Sequence, residues 1–168
     1  MTRLTVRWLA LLMTFAVLLI FMSSPTSAAI SNTWPGAEGG TIQALAIDSN
    51  FPRPIYAGTE VGGVFTSTDG GATWSAVNNG ITNFNVQAVA INPDVNSTVY
   101  AGTSGGGVFR SDNSGGTWTE VNGIAPDDDL DNLDIQALAI NPNRPSTLYA
   151  GTAGDGVYRT DNSGGTWN

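Results

Sequence analysis

Short apolar runs separated by polar, glycine-rich stretches recur in a fixed order from residue 42 to residue 168. Ile42-Gln-Ala-Leu-Ala-Ile47 returns as Val86-Gln-Ala-Val-Ala-Ile91 and as Ile135-Gln-Ala-Leu-Ala-Ile140. Tyr56-Ala-Gly-Thr59 returns as Tyr100-Ala-Gly-Thr103 and Tyr149-Ala-Gly-Thr152, and Gly63-Val-Phe65 as Gly107-Val-Phe109 and Gly156-Val-Tyr158. The runs are bounded by Gly, Pro, Asn and Asp, the signature of strands and turns. Helical periodicity is absent outside the N-terminus.

A second marker locks the period. Thr33-Trp34, Thr73-Trp74, Thr117-Trp118 and Thr166-Trp167 follow one another at spacings of 40, 44 and 49 residues. Self-similarity at that period means an array of units rather than one irregular fold. In the second unit the pattern predicts strands over 86–91, 98–103, 108–111 and 117–121. Four antiparallel strands in roughly 45 residues form one blade of a β-propeller. The first strand is apolar on both faces, which predicts burial on both sides, and its small Ala88 and Ala90 suit the narrow centre of a radial array. A single blade cannot bury its faces alone, so stacked neighbours must supply the core. The expected fold class is therefore all-β, with about three repeats of four-stranded antiparallel blades, an incomplete propeller. The blades are expected over 42–79, 86–122 and 135–168, with an orphan strand over 32–36. Propellers close with four to eight blades. Closure thus needs either self-association or further blades downstream, and a chain that stops inside its own motif favours a piece of a longer protein.

The turn before each Thr-Trp is the most specific signal. Ser67-Thr-Asp69-Gly-Gly71-Ala-Thr73-Trp74 has an acid that accepts backbone N–H bonds within its own turn, a Gly that supplies positive φ, a Thr that re-enters a strand and a Trp that packs between sheets. This resembles the Asp-box, or BNR repeat, of sialidases, sortilin-type receptors, photosystem II assembly factors and xyloglucanases. The later copies, Ser111-Asp-Asn113-Ser-Gly115-Gly-Thr117-Trp118 and Thr160-Asp-Asn162-Ser-Gly164-Gly-Thr166-Trp167, carry Asn where the family carries Asp. Asn accepts the same bonds, so the turn should survive. In these families the Asp-box is a folding device at the blade periphery, and the resemblance gives its residues here a structural role.

Residues 1–28 stand apart from the repeats. Arg3 and Arg7 precede a 15-residue apolar stretch over 8–22, followed by small residues up to Ala28 and Ala29. That is the layout of a secretory signal peptide, and it predicts a secreted or periplasmic protein. No Cys is present for a lipid anchor or a disulfide. Beyond the signal, four Arg face 14 acidic residues, a net charge near −10, with no Lys and no His. Such a surface repels nucleic acid and anionic membranes, so neither is an expected partner.

The same composition narrows the chemistry. Without His or Cys the usual nucleophile–base pairs, zinc sites and thiol chemistry are excluded, and only carboxylates remain for acid–base work. No cofactor is expected. Gly105-Gly-Gly107 lies between two strands and reads as a hairpin turn rather than a phosphate loop.

Strand direction sorts the loops onto two rims. The Asp-box turns and the first-to-second connections (48–54, 92–97, 141–146) share one; the second-to-third turns and the inter-blade loops share the other. The second rim collects Glu60, Asp155 and an acidic insertion with Asp127, Asp129 and Asp131, the expected ligand-facing residues. The alternating acids have the look of a calcium loop, but Asn132 occupies the sixth position and Leu138 the twelfth, so a solvated insertion is expected and no metal. Thr59-Glu60-Val-Gly-Gly63 is similar to the Thr-Asp-Val/Ile-Gly-Gly stretch of xyloglucanases, where the acid is catalytic. A glycosidase needs a second carboxyl, about 6.5–9.5 Å away in the inverting case, and no partner for Glu60 can be named. Arg110 and Arg159 are repeat-equivalent and read as structural rather than as a sialidase arginine clamp, and Phe51-Pro-Arg-Pro54 is only loosely similar to that family's arginine motif. Asn96-Ser-Thr98 fits a glycosylation sequon. The expected function is a non-catalytic module binding a glycan or protein partner. The rival is a fragment of a xyloglucanase-like glycoside hydrolase using Glu60.

Overall fold

Among the described residues, eleven short strands fall into three sheets, each built from one repeat. The computed structural model describes residues 40–48, 54–123 and 129–168. The signal peptide expected over 1–28, the strand expected over 32–36, Arg53 and Asp127 lie outside the described residues. The first sheet holds β1 (Ile42–Ile47), β2 (Ile55–Thr59), β3 (Val64–Ser67) and β4 (Ser75–Ala76) in that order. The second holds β5 (Val86–Ile91), β6 (Val99–Thr103), β7 (Gly107–Ser111) and β8 (Thr119–Glu120). The third holds β9 (Ile135–Ile140), β10 (Leu148–Thr152) and β11 (Val157–Thr160). All neighbouring pairs are antiparallel. The first and second sheets are thus the four-stranded units the repeat predicts, and β5 matches its predicted span.

The fourth strands are shorter than expected. The pattern predicts a strand over 117–121, but the ladder holds only Thr119 and Glu120, paired with Arg110 and Phe109. The preceding backbone groups have other partners. The Thr117 N–H donates to the Asn113 side chain at 2.8 Å, and the Trp118 N–H donates to Asn79 O, in the connection that leaves the preceding sheet, at 2.8 Å. A residue whose N–H serves a turn or a connection cannot also serve its own ladder.

The first strands are less buried than their composition predicts. β5 mixes buried and half-buried positions, whereas β1 and β9 expose about half of theirs or more. The strand is the inner edge of each sheet, paired on one side only, so a chain of three sheets leaves much of its inner face in water. Each inner strand also carries a β-bulge at the same place. Gln43, Gln87 and Gln136 are the extra residues, unopposed between Ile42 and Ala44, Val86 and Ala88, and Ile135 and Ala137. Bulges bend the strand and increase local twist, and here they recur with the repeat.

The core lies between sheets. One cluster joins Tyr56 and Val64 of the first sheet to Val86, Val99, Ala101, Phe109 and Trp118 of the second, with Ile81 from the connection. Its counterpart joins Tyr100 and Val108 of the second sheet to Ile135, Leu148, Ala150 and Trp167 of the third, with Leu130 from the connection. Position for position these are the same junction made twice. Buried apolar area stabilises by about 25 cal/mol per Å², and that burial is shared between repeats rather than owned by one.

Each junction is also tied by a hydrogen bond. Trp118 Nε1 donates to Val77 O and Trp167 Nε1 to Val121 O, both at 2.7 Å. Trp74 instead bonds Gly71 O within its own turn at 3.1 Å and is half-buried.

Candidate functional site

The three Thr-Trp turns share one hydrogen-bond plan. In the first, Ser67 Oγ donates to Asp69 Oδ1 at 2.8 Å and accepts the Gly71 N–H at 2.8 Å. Asp69 Oδ1 accepts the Thr73 N–H at 2.8 Å, and Oδ2 accepts the Thr73 hydroxyl at 2.5 Å. These bonds favour the ionised form, and the two from Thr73 lead in pulling the carboxyl down to about 2. In the second turn Asn113 Oδ1 takes the same two roles, from Ser111 Oγ at 2.9 Å and the Thr117 N–H at 2.8 Å. Its amide then donates to Thr117 Oγ1 at 3.0 Å, so the fourth bond reverses direction. Asn162 repeats this with Thr160, Thr166 and Thr166 Oγ1. Asn thus preserves the turn and removes its charge.

The residue after the acid or amide is left-handed in every copy. Gly70 has φ 74°, but Ser114 and Ser163 adopt φ 58° and 63°, a conformation that costs a residue with a Cβ about 1–2 kcal/mol. Their N–H groups donate to Ser97 O and Ser146 O at 2.8 Å. Turn and first-to-second connection are thereby stitched together on one rim. Beside them Arg110 pairs with Asp112 at 2.8 Å, and Asp112 also accepts the Thr98 hydroxyl. Arg159, Asp161 and Thr147 repeat the set. The Thr147 hydroxyl and then the Arg159 guanidinium hold the Asp161 carboxyl below the usual carboxylate range. A polar cleft of about 340 Å³, lined by Arg110, Asp112, Asn113, Thr117, Thr119 and Val121, opens here, and its charged groups already face one another. The Asn96-Ser-Thr98 sequon falls in this network: its Thr98 is buried and committed to Asp112.

The opposite rim is built from the second-to-third turns. The Glu60 N–H donates to Thr41 O at 2.9 Å, the Ser104 N–H to Asn85 O at 2.9 Å and the Ala153 N–H to Asp134 O at 3.0 Å. Each turn is closed by the Thr that ends the second strand: Thr59 Oγ1 donates to Gly63 O at 2.9 Å, Thr103 Oγ1 to Gly107 O at 3.0 Å. A further clamp was not anticipated from the sequence. Asn78 Oδ1 accepts the Val64 N–H at 2.7 Å while its amide donates to Gly62 O at 2.7 Å. Asn122 does the same for Val108 and Gly106. Gly63 and Gly107, at φ 78° and 75°, lie where a Cβ would meet these amides at 2.4 and 2.1 Å. The available signal was the Val-Asn pair that closes both fourth strands, Val77-Asn78 and Val121-Asn122.

Among the expected ligand-facing residues, Asp131 meets Tyr158 of the third sheet. Tyr158 OH donates to Asp131 Oδ2 at 3.4 Å, and burial, then Asp131 and Asp155, push the phenol up. Asn132 fixes the insertion by donating to Ala153 O at 3.1 Å. Tyr158 stands where the other repeats have Phe65 and Phe109, so the added hydroxyl coincides with the added loop. Asp129 lies at the start of the described part of that loop. Glu60 is exposed on the first sheet's turn, a different repeat from Asp131 and Asp155. Among the described residues no group of three or more acidic side chains is placed to hold a metal ion.

A protein-family model described as Sortilin-Vps10 (Sortilin, neurotensin receptor 3) matches residues 62–168. The chain is similar in structure to an ancestral GH74 enzyme, with a TM-score of 0.63 and 21% identity over 81% of this chain and 19% of that one. It is similar to the GH74 xyloglucanase of Xanthomonas campestris, with a TM-score of 0.60 and 17% identity over 76% and 23%. It is also similar to YCF48 bound to a D1 peptide, with a TM-score of 0.59 and 15% identity over 79% and 41%. At these identities the likeness is one of fold, the β-propeller. The chain spans less than half the length of each. No curated protein sequence matches.

Proposed function

Since the chain belongs to the Sortilin-Vps10 family, we propose that it is a secreted or periplasmic propeller module that binds a glycan or protein partner and has no catalysis of its own. The binding face is the rim of second-to-third turns. The observation that carries this is the hydrogen bond from the Tyr158 phenol to Asp131 at 3.4 Å. A half-buried aromatic ring beside a carboxylate suits hydroxyl-rich or cationic groups: the ring stacks, and the carboxylate accepts hydrogen bonds. The other rim is occupied by bonds internal to the Thr-Trp turns. Peptide binding by the structurally similar YCF48 is compatible with a protein partner. The test is calorimetric titration of the chain with a xyloglucan oligosaccharide and with a lysine-rich peptide. Binding of one probe, weakened at least tenfold in the Asp131→Asn/Asp155→Asn variant, supports the module. Binding indifferent to that variant, or none of either probe, refutes it.

A second reading follows from the GH74 likeness: Glu60, exposed beside a glycine turn, serves as the acid or base of a glycoside hydrolase. Xyloglucan cleavage abolished by Glu60→Gln would support it, and cleavage unchanged by that substitution would remove it.

A further inference from the structure

On the rim of second-to-third turns, the turns and the connections between sheets form one hydrogen-bonded belt. The Gly63 N–H donates to Phe84 O at 3.0 Å, joining the first sheet's turn to the connection between β4 and β5. From that connection the Asn83 amide donates to Ser104 O at 2.7 Å, reaching the second sheet's turn. The Gly105 and Gly107 N–H groups donate to Leu133 O at 3.0 and 2.8 Å, in the connection between β8 and β9, and the Asn132 amide donates to Ala153 O at 3.1 Å in the third sheet's turn. Asn83 and Asn132 also accept the N–H groups of Asn85 and Asp134 at 3.0 and 2.9 Å. Phe84 and Leu133 thus hold the same place in successive connections, each at the tip of a closed turn.

Both side chains are large and apolar, yet they stand 48% and 36% exposed. Between them the belt drops to bare backbone. Ser104 is followed by Gly105, Gly106 and Gly107, where the first turn carries Val61 and the third carries Asp155. A Cβ on Gly105 would have only Asn83 Nδ2 near it, at 3.9 Å, so the space over that glycine is open. A Cβ on Gly106 would lie 2.7 Å from Asn83 Cβ. The result is a glycine-floored notch with an apolar side chain on either side. Acids stand at both ends of the belt: Glu60 on the first turn, and Asp131 and Asp155 about the third, all exposed. Among the described residues the arginines, Arg110, Arg144 and Arg159, belong to the other rim.

We infer that this notch docks an extended segment of another protein, with one apolar or aromatic side chain between Phe84 and Leu133 and a lysine or arginine on either side of it. The inference rests on the turn rim as the binding face and names its partner. Exposed apolar groups rimmed by polar ones mark interaction sites, and a braced loop loses little freedom on binding. A glycine floor lets the segment approach the backbone closely. The carboxylates at both ends attract and pair cations. A glycan would leave that charge unanswered and the two apolar side chains poorly covered.

The test is calorimetric titration of the chain with two short lysine-flanked peptides, one centred on phenylalanine and one on serine, and with the xyloglucan oligosaccharide. The phenylalanine peptide is expected to bind, and the serine peptide to bind about tenfold more weakly or less. Phe84→Ser/Leu133→Ser should weaken the phenylalanine peptide by a similar factor and leave the serine peptide unchanged. The peptide comparison is made on the unaltered chain, so it stands even if the double variant does not fold. Equal binding of the two peptides overturns the inference and leaves charge as the whole of the attraction. Binding of the phenylalanine peptide that ignores a folded double variant overturns it by placing the contact elsewhere. Binding of the oligosaccharide alone overturns it while the rim reading survives, and binding of no probe overturns both.

Discussion

Replacing Trp118 separates what holds a repeat together from what holds two repeats to each other. Its side chain is 4% exposed within the first inter-sheet core, and its Nε1 reaches the Val77 carbonyl of the preceding sheet at 2.7 Å. Trp118→Phe keeps an aromatic ring but removes the donor, leaving a part-buried carbonyl without its partner at about 1–3 kcal/mol. Trp118→Ala also empties the core there and costs about 3–5 kcal/mol, a large share of the 5–15 kcal/mol typical of a domain. Trp74 is the internal control: its Nε1 bond stays inside its own turn and its ring is half-exposed. Water replaces that bond readily, so Trp74→Phe should cost under about 1 kcal/mol. Urea unfolding of the three variants reads the difference as a shift of midpoint at constant slope. Equal losses for Trp74→Phe and Trp118→Phe would refute the idea that the indole bond across the junction carries the difference.

The turns differ in their response to acid. Asp69 is held at about 2, below the ordinary carboxylate range, so its contribution is present above the unfolded value and is lost as pH falls through the folded one. Asp69→Asn should therefore flatten the fall in melting temperature between about pH 4 and 2, measured by thermal scans across that range; an unchanged profile would show that the turn does not sense its charge. Asn78→Ala strips the Val64 N–H and the Gly62 carbonyl of their partners and should lower stability by about 1–3 kcal/mol in the same urea assay. Hydrogen exchange should show the 60–63 turn opening first in that variant, and uniform exchange would count against a local clamp.

The architecture was legible because the same residues return in three copies. Val86 to Ile91 could be read as a strand from its bounding turns alone, and the repeat extended that reading to Ile42 and Ile135. What failed was the accounting of individual backbone groups. Thr117 and Trp118 look like strand residues, yet their N–H groups serve a turn and the preceding connection, and nothing in a hydrophobic pattern reveals that. Burial of the inner strands was overestimated for a related reason. Leu45 and Ile47 have the composition of a core, but burial depends on a neighbour that periodicity does not supply. The Asn78 and Asn122 clamps were visible only as a repeated polar residue after a strand, which ordinarily reads as a turn. The candidate site lies where the repeats stop agreeing, at the 127–134 insertion and at Tyr158 in place of Phe, so repetition could point to it only by its breakdown.

The two indole bonds span 41 and 46 residues, about one repeat each. Every long tie described between sheets therefore links nearest neighbours in sequence. Order can start at either junction and advance one repeat at a time, with loop-closure entropy rising only slowly from one to the next. The direction of the bond matters as well: Trp118 and Trp167 each secure the sheet that precedes their own. During synthesis a repeat remains loosely fastened until roughly the next 45 residues have emerged, so these sheets gain their stability one step behind the growing end of the chain.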